Sequence, residues 1–89
     1  MTDTEMERWV RGETRELPMP DGTSRTHTAL RLVWVTADRL IELHGYTLEQ
    51  LVICSLETAE LNGWDFARAF TNTIGMLEEH RRALWAEHG

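Results

Sequence analysis

The chain has 89 residues and a formal net charge of −6 at pH 7, with fifteen acidic and nine basic side chains. A chain of this length forms one domain and buries only about 60–65 % of its unfolded surface, so that a monomer is marginally stable. A disulfide within the chain cannot stabilise the monomer, because Cys54 is the only cysteine; it lies in an apolar run. A single cysteine and the lack of a long apolar segment predict a soluble protein of a reducing cytoplasm.

The N-terminal part, residues 1–25, is predicted to be either a flexible arm or an edge hairpin. The first dozen residues would form a loose helical turn or an arm, whereas Pro18 and Pro20 exclude a helix over residues 13–24 and restrict any strand there to the edge of a sheet. Asp21-Gly22 is typical of a tight turn, around which residues 14–19 would pair with residues 24–30. This hairpin competes with a second prediction, in which the strand pairs with the same strand of another chain.

Residues 26–89 are predicted to form a strand followed by three helices. Apolar and polar residues alternate after Thr26, which places Leu30, Leu32 and Trp34 on one face of a strand and Ala29, Arg31 and Val33 on the other. Thr36 is the expected N-cap of a first helix that ends at Gly45. The predicted fold is therefore mainly α with a short N-terminal strand.

The second and third helices carry stronger boundary signals. Thr47 and Gln50 have the spacing of a capping box, and Asn62-Gly63 is a helix stop signal. Asp65 is the expected cap of the last helix, in which Gly75 costs about 1 kcal/mol relative to alanine. Close approach of another helix is one explanation of this glycine, and simple tolerance is the other.

Catalytic and metal sites find no support in the spacing of the reactive side chains. None of the four histidines is three or four residues from another, so no two ligands share one helical face, and there is no glycine-rich phosphate loop. The sequence therefore predicts a protein that is not an enzyme and that has no metal and no cofactor.

Tryptophan is frequent, with four residues in the chain. Large aromatic side chains pack in cores and also anchor protein interfaces. Trp9, Trp34 and Trp85 are the interface candidates, and Trp9 and Trp85 are favoured because their surroundings are polar.

Residues 28–51 resemble the ribbon-helix-helix family of DNA-binding regulators. The similarity rests on Thr28-Ala29-Leu30-Arg31-Leu32, on the following Trp34, and on the segment from Gly45 to Leu51. A fainter similarity extends to about residue 74 through Phe66-Ala67-Arg68-Ala69-Phe70. The first helix is shorter than in the family by about one turn, since only 12 residues separate Leu32 from Gly45.

The resemblance implies a homodimer in which two chains pair their strands into a ribbon that enters the major groove. The outward residues that would read base edges are His27, Ala29 and Arg31, and Arg31 is the expected bidentate ligand of guanine. The backbone amides near Tyr46 and Thr47 would hold a DNA phosphate. The implied function is a homodimeric transcriptional regulator.

The acidic net charge favours a different function. DNA binding depends on the neutralisation of phosphates, and an acidic chain suits that role poorly. A small acidic inhibitor or adaptor that caps a basic surface of a larger complex is therefore the alternative prediction. Arg31 discriminates the two, because only DNA binding requires it.

Overall fold

The computed structural model describes residues 10–88 of the chain and the side chains of residues 10–84. From Gly12 onward, the described residues form two strands followed by three helices: β1 Gly12–Pro18, β2 Ser24–Leu30, α1 Arg31–His44, α2 Leu48–Asn62 and α3 Phe66–His88. The prediction of a mainly helical chain with β structure near its N-terminus is confirmed. Within the described residues, no helix combines the length and the hydropathy that a membrane span requires.

β1 and β2 form an antiparallel hairpin within one chain, which is the hairpin alternative for the N-terminal part. The register runs from the pair Gly12–Leu30 at the open end to the pair Pro18–Ser24 at the turn. Gly22 has a φ of 86°, a left-handed conformation that glycine adopts readily. The Asp21 carboxylate accepts hydrogen bonds from the amide of Thr23 at 3.0 Å and from its hydroxyl at 2.6 Å. The hairpin spans the predicted boundary between residues 25 and 26.

α1 begins at Arg31, directly after β2, so the predicted cap at Thr36 is wrong. Thr36 is buried inside the helix, and its hydroxyl donates to the carbonyl of Leu32 at 2.8 Å. The amide of Arg31 donates to the carbonyl of Arg11 at 2.8 Å, which satisfies one free amide of the first helical turn. The hairpin itself therefore supplies a partner that no residue of α1 provides.

The end of α1, both ends of α2 and the start of α3 agree with the sequence signals. Gly45 and Gly63 end α1 and α2 with φ angles of 74° and 65°. The hydroxyl of Thr47 accepts from the amide of Gln50 at 3.1 Å, and the Gln50 side chain accepts from the amide of Thr47 at 2.9 Å. Asp65 caps α3 by accepting from the amide of Arg68 at 2.8 Å.

The hydrophobic core lies between the hairpin and the three helices. Leu17 of β1, Trp34 of α1 and Phe70 of α3 are almost completely buried in it. The indole Nε1 of Trp34 donates to the carbonyl of Glu13 at 2.8 Å, so this residue also ties α1 to β1. Because Trp34 is 1 % exposed, its prediction as an interface residue is wrong. The predictions for Trp9 and for the Trp85 side chain lie outside the described residues.

Candidate nucleic-acid interface

The two faces of the hairpin have different surroundings, because successive side chains of a strand point to opposite faces. The inner face, which packs on the helices, carries the cross-strand pairs Arg15–His27 and Leu17–Arg25. The outer face carries Thr14 opposite Thr28 and Glu16 opposite Thr26. The inner residues are thus fixed by the core, whereas the outer residues face solvent.

His27 is the centre of the inner face and is 7 % exposed. Its ring makes edge contacts with Trp34, Phe66 and Phe70, with centroid distances of 6.0, 5.2 and 5.1 Å. Its Nε2 is buried and has no hydrogen-bond partner among the described residues. Burial, and to a smaller extent the charge of Arg25, lower the pKa of His27 below 6.5. The neutral form of His27 is therefore the one that the fold accommodates.

This position of His27 corrects the predicted set of base-reading residues. His27 and Ala29 point inward rather than outward, and Ala29 is half-buried against the core. Arg31 is the first residue of α1 rather than a residue of the strand. Leu30, which was predicted to point inward, is 48 % exposed. The side chains alternate within β2 with the predicted faces exchanged, and residues 31–34, which were predicted to continue the strand, belong to α1.

The outer face of the hairpin is a hydroxyl-rich surface. Thr14, Thr26, Thr28 and Ser24 are all exposed on it, and Glu16 is its acidic residue. The hydroxyls of Thr14 and Thr28 lie 2.7 Å apart and form a hydrogen bond across the two strands. Hydroxyl groups of this kind donate and accept hydrogen bonds in any orientation.

Two arginines stand at the open end of the hairpin. Arg11 and Arg31 are exposed and line a cleft of about 210 Å³ together with Gly12 and Glu13. The carboxylate of Glu13 accepts a hydrogen bond from Arg15 Nε at 2.7 Å, so it is already paired. The side chains of Arg11 and Arg31 are therefore exposed at the open end of the hairpin, where an anion can reach them.

The other two arginines of the hairpin are held by the inner face. Arg15 binds Glu13 and Asp38 and lies over the ring of Trp34 at 5.1 Å. Burial opposes its charge, but these carboxylates outweigh burial and raise the pKa of Arg15. The guanidinium of Arg25 lies 4.8 Å from the ring centre of Phe66. Both arginines contribute to the packing of the hairpin.

The predicted phosphate site at the start of α2 is occupied by bonds within the chain. The amide of Tyr46 donates to the carbonyl of Leu40 at 3.3 Å, and the amide of Thr47 donates to Gln50. A phosphate at this position would have to replace these bonds. Glu49 in the first turn of α2 would also repel it.

Charge is distributed unevenly between the hairpin and the helices. Residues 10–31 contain four arginines and three carboxylates, whereas residues 32–88 contain four arginines and nine carboxylates. The hairpin segment thus has a net charge of +1 and the helical part a net charge of −5, and residues 1–9 add a further −2. Within the described residues, no group of three or more His, Cys, Asp or Glu side chains is arranged to hold a metal.

Comparisons of the chain with protein-family models, with curated proteins and with solved structures gave no match. The function is therefore inferred from the residues of the hairpin. Thr14, Thr26 and Arg11 belong to the exposed surface and were not among the predicted site residues. The Asp21-Gly22 turn was the signal for them, because the hairpin it forms brings β1 beside β2.

Proposed function

We propose that this chain is a homodimeric transcriptional regulator that binds double-stranded DNA through the outer face of its hairpin. The observation that carries the proposal is the exposed hydroxyl surface of Thr14, Thr26 and Thr28, with Arg11 and Arg31 at its open end. This agrees with the resemblance to ribbon-helix-helix regulators in the type of element that reads DNA. It differs from that resemblance in using two strands of one chain.

The shape and chemistry of the outer face suit the major groove. The groove is about 12 Å wide and admits a two-stranded ribbon. Threonine donates or accepts hydrogen bonds at base edges, and its methyl group contacts the methyl of thymine. Arg31 or Arg11 supplies the guanidinium for guanine or for a neighbouring phosphate.

The uneven charge reconciles this function with an acidic protein. With the hairpin in the groove, the acidic helices lie behind it, on the side of the core that faces away from the DNA. Few arginines then contact phosphates, so affinity should be moderate and should decrease with salt with a shallow slope. Sequence preference must come from the outer face of the hairpin.

The test is fluorescence anisotropy of labelled duplexes, which include the DNA upstream of the gene, at two salt concentrations. The unmodified protein should prefer the upstream sequence, and binding should weaken as salt increases. Arg31→Ala should raise Kd by about 5- to 150-fold, which corresponds to 1–3 kcal/mol for a bidentate base contact. Thr26→Ala combined with Thr28→Ala should reduce the preference for one sequence.

Arg68→Ala is the matched control, because it removes the same charge from a side chain that stacks on Trp64 at 4.4 Å in the helical layer. Its affinity for DNA should remain close to that of the unmodified protein. Equal losses in Arg31→Ala and Arg68→Ala would mean that only net charge matters. No binding to any duplex at low salt would reject the proposal.

A second candidate function, an acidic module that caps a basic protein surface, is supported by the outer face of α2. Glu57 and Glu60 are exposed there, and Leu61 beside them is 85 % exposed. Charged and apolar groups together on one face are typical of a surface that docks on another protein. This function would be favoured if DNA binding were absent and if Glu57→Arg abolished a salt-sensitive complex with a basic protein.

A further inference from the structure

A basic groove lies between α1 and α3, on a chain whose helical part is otherwise acidic. It has a volume of about 210 Å³ and is lined by Arg39, Leu43, His44, Glu78, Arg81 and Arg82. The lining therefore contains three guanidinium groups and one carboxylate. Leu43, which is 66 % exposed, adds an apolar contact surface to the groove.

The arginines of the groove are positioned by contacts within the chain. The Oε1 atom of Glu78 accepts from Arg39 at 2.7 Å and from Arg82 at 3.0 Å. Arg81 lies over the ring of Tyr46 at 5.2 Å, and its Nε donates to the Tyr46 hydroxyl at 3.4 Å. A guanidinium has five N–H donors, so each arginine retains donors for a further carboxylate. The groove is thus prepared for an acidic partner.

The outer face of α2 has the complementary composition. Its exposed residues include Glu49, Ile53, Glu57, Glu60 and Leu61. Ile53 is 43 % exposed and Leu61 is 85 % exposed, so two apolar side chains of this face are in contact with solvent. No basic residue occurs between Leu48 and Asn62. The face is an acidic, amphipathic helix surface, which is a common occupant of a groove between helices.

We propose that the outer face of α2 of one chain occupies the basic groove of a second copy. Glu57 and Glu60 would then pair with arginines of the groove, and Ile53 or Leu61 would cover Leu43. Because each chain carries both surfaces, two such contacts related by a twofold axis make a closed dimer. This dimer does not depend on DNA binding, and its contacts are side-chain contacts of helices rather than pairing of strands.

The first measurement is the oligomeric state by sedimentation equilibrium at low and high salt. The unmodified protein should be a dimer at low salt, and its dissociation constant should rise with salt, because charged contacts hold the interface. Glu57→Arg and Arg82→Glu should each raise that constant by at least about tenfold, since each variant places like charges across both contacts. Both residues are exposed, so the helical content should be unchanged by circular dichroism.

Mixing the two variants gives the decisive result. In a mixed dimer the new arginine at position 57 meets the new glutamate at position 82, and the second contact keeps its original charges. The mixture should therefore restore the dimer that each variant loses alone. The double variant E57R/R82E should restore it for the same reason.

Glu79→Arg is the matched control, because it makes the same charge reversal at an exposed residue of α3 outside the lining of the groove. It should dimerise like the unmodified protein. A monomer at all concentrations would overturn the proposal. Dimers of unchanged affinity in Glu57→Arg and Arg82→Glu, or no restoration on mixing, would also overturn it, because the interface would then lie elsewhere.

Discussion

The two faces of the hairpin are built from neighbouring residues and have opposite roles. On the inner face, Leu17 is completely buried and His27 lies among three aromatic rings. On the outer face, Thr26 and Thr28 lie on either side of His27 in the same strand and are exposed to solvent. Within the seven residues of β2, neighbouring side chains therefore differ in whether they pack on the core or face solvent.

The difference shows which residues are available for function. A substitution on the inner face changes the core, so its effect on binding would be difficult to separate from unfolding. A substitution on the outer face removes no buried contact, so its effect reports on a partner. Residues of the outer face are thus the ones on which a proposal of DNA binding can be tested cleanly.

The largest expected effect is on the inner face, where Leu17→Ala should lower the free energy of unfolding by about 2–5 kcal/mol, because it removes fully buried methyl groups and leaves a cavity. Thr26→Ala, on the outer face, should change it by less than about 0.5 kcal/mol. Urea unfolding followed by circular dichroism measures both. Similar losses in the two variants would mean that the two faces contribute equally to the free energy of unfolding.

Local signals predicted the end of α1 and both ends of α2. The capping box of Thr47 and Gln50 and the glycines at positions 45 and 63 have the geometry that their sequence context indicates. These features depend on contacts between residues a few positions apart. Sequence reasoning was therefore sufficient for α2 and for the end of α1.

The start of α1 and the faces of β2 could not be predicted in the same way. The alternation predicts that Leu30 and Leu32 define the buried face of a strand, but Leu32 belongs to α1 and both residues are about half exposed. The start of the helix depends on the carbonyl of Arg11, twenty positions away in the sequence. Whether His27 or Thr28 is buried depends on Phe66 and Phe70 of α3, and alternation alone carries no information about them.

His27 on the inner face should make the stability of the protein depend on pH. Its folded pKa is lowered below the value of 6.5 by burial, so the unfolded chain takes up the proton more readily. The contribution of neutral His27 to the free energy of unfolding should be complete above pH 6.5 and should decrease as the pH falls through 6.5 towards the folded pKa. Thermal or urea unfolding at pH 7.5 and 5.5 measures this loss.

His27→Phe keeps an aromatic ring in the site and removes the titrating group. It should therefore lose less stability between these two pH values than the unmodified protein does. All other ionisable groups are common to both proteins, so their contributions cancel in the difference. An identical pH dependence in both would assign the effect to another group.

The smallest expected effect belongs to Glu16, the acidic residue among the hydroxyl groups of the outer face. With this face in the major groove, its carboxylate lies near phosphates and opposes binding. Glu16→Gln should tighten DNA binding by about two- to fivefold at low salt, and the gain should shrink as salt screens the repulsion. Glu79→Gln, an equal change on the helical side, should leave the affinity nearly unchanged. If both substitutions tightened binding equally, the outer face would have no special place in the complex, and the distinction between the two faces of the hairpin would concern stability alone.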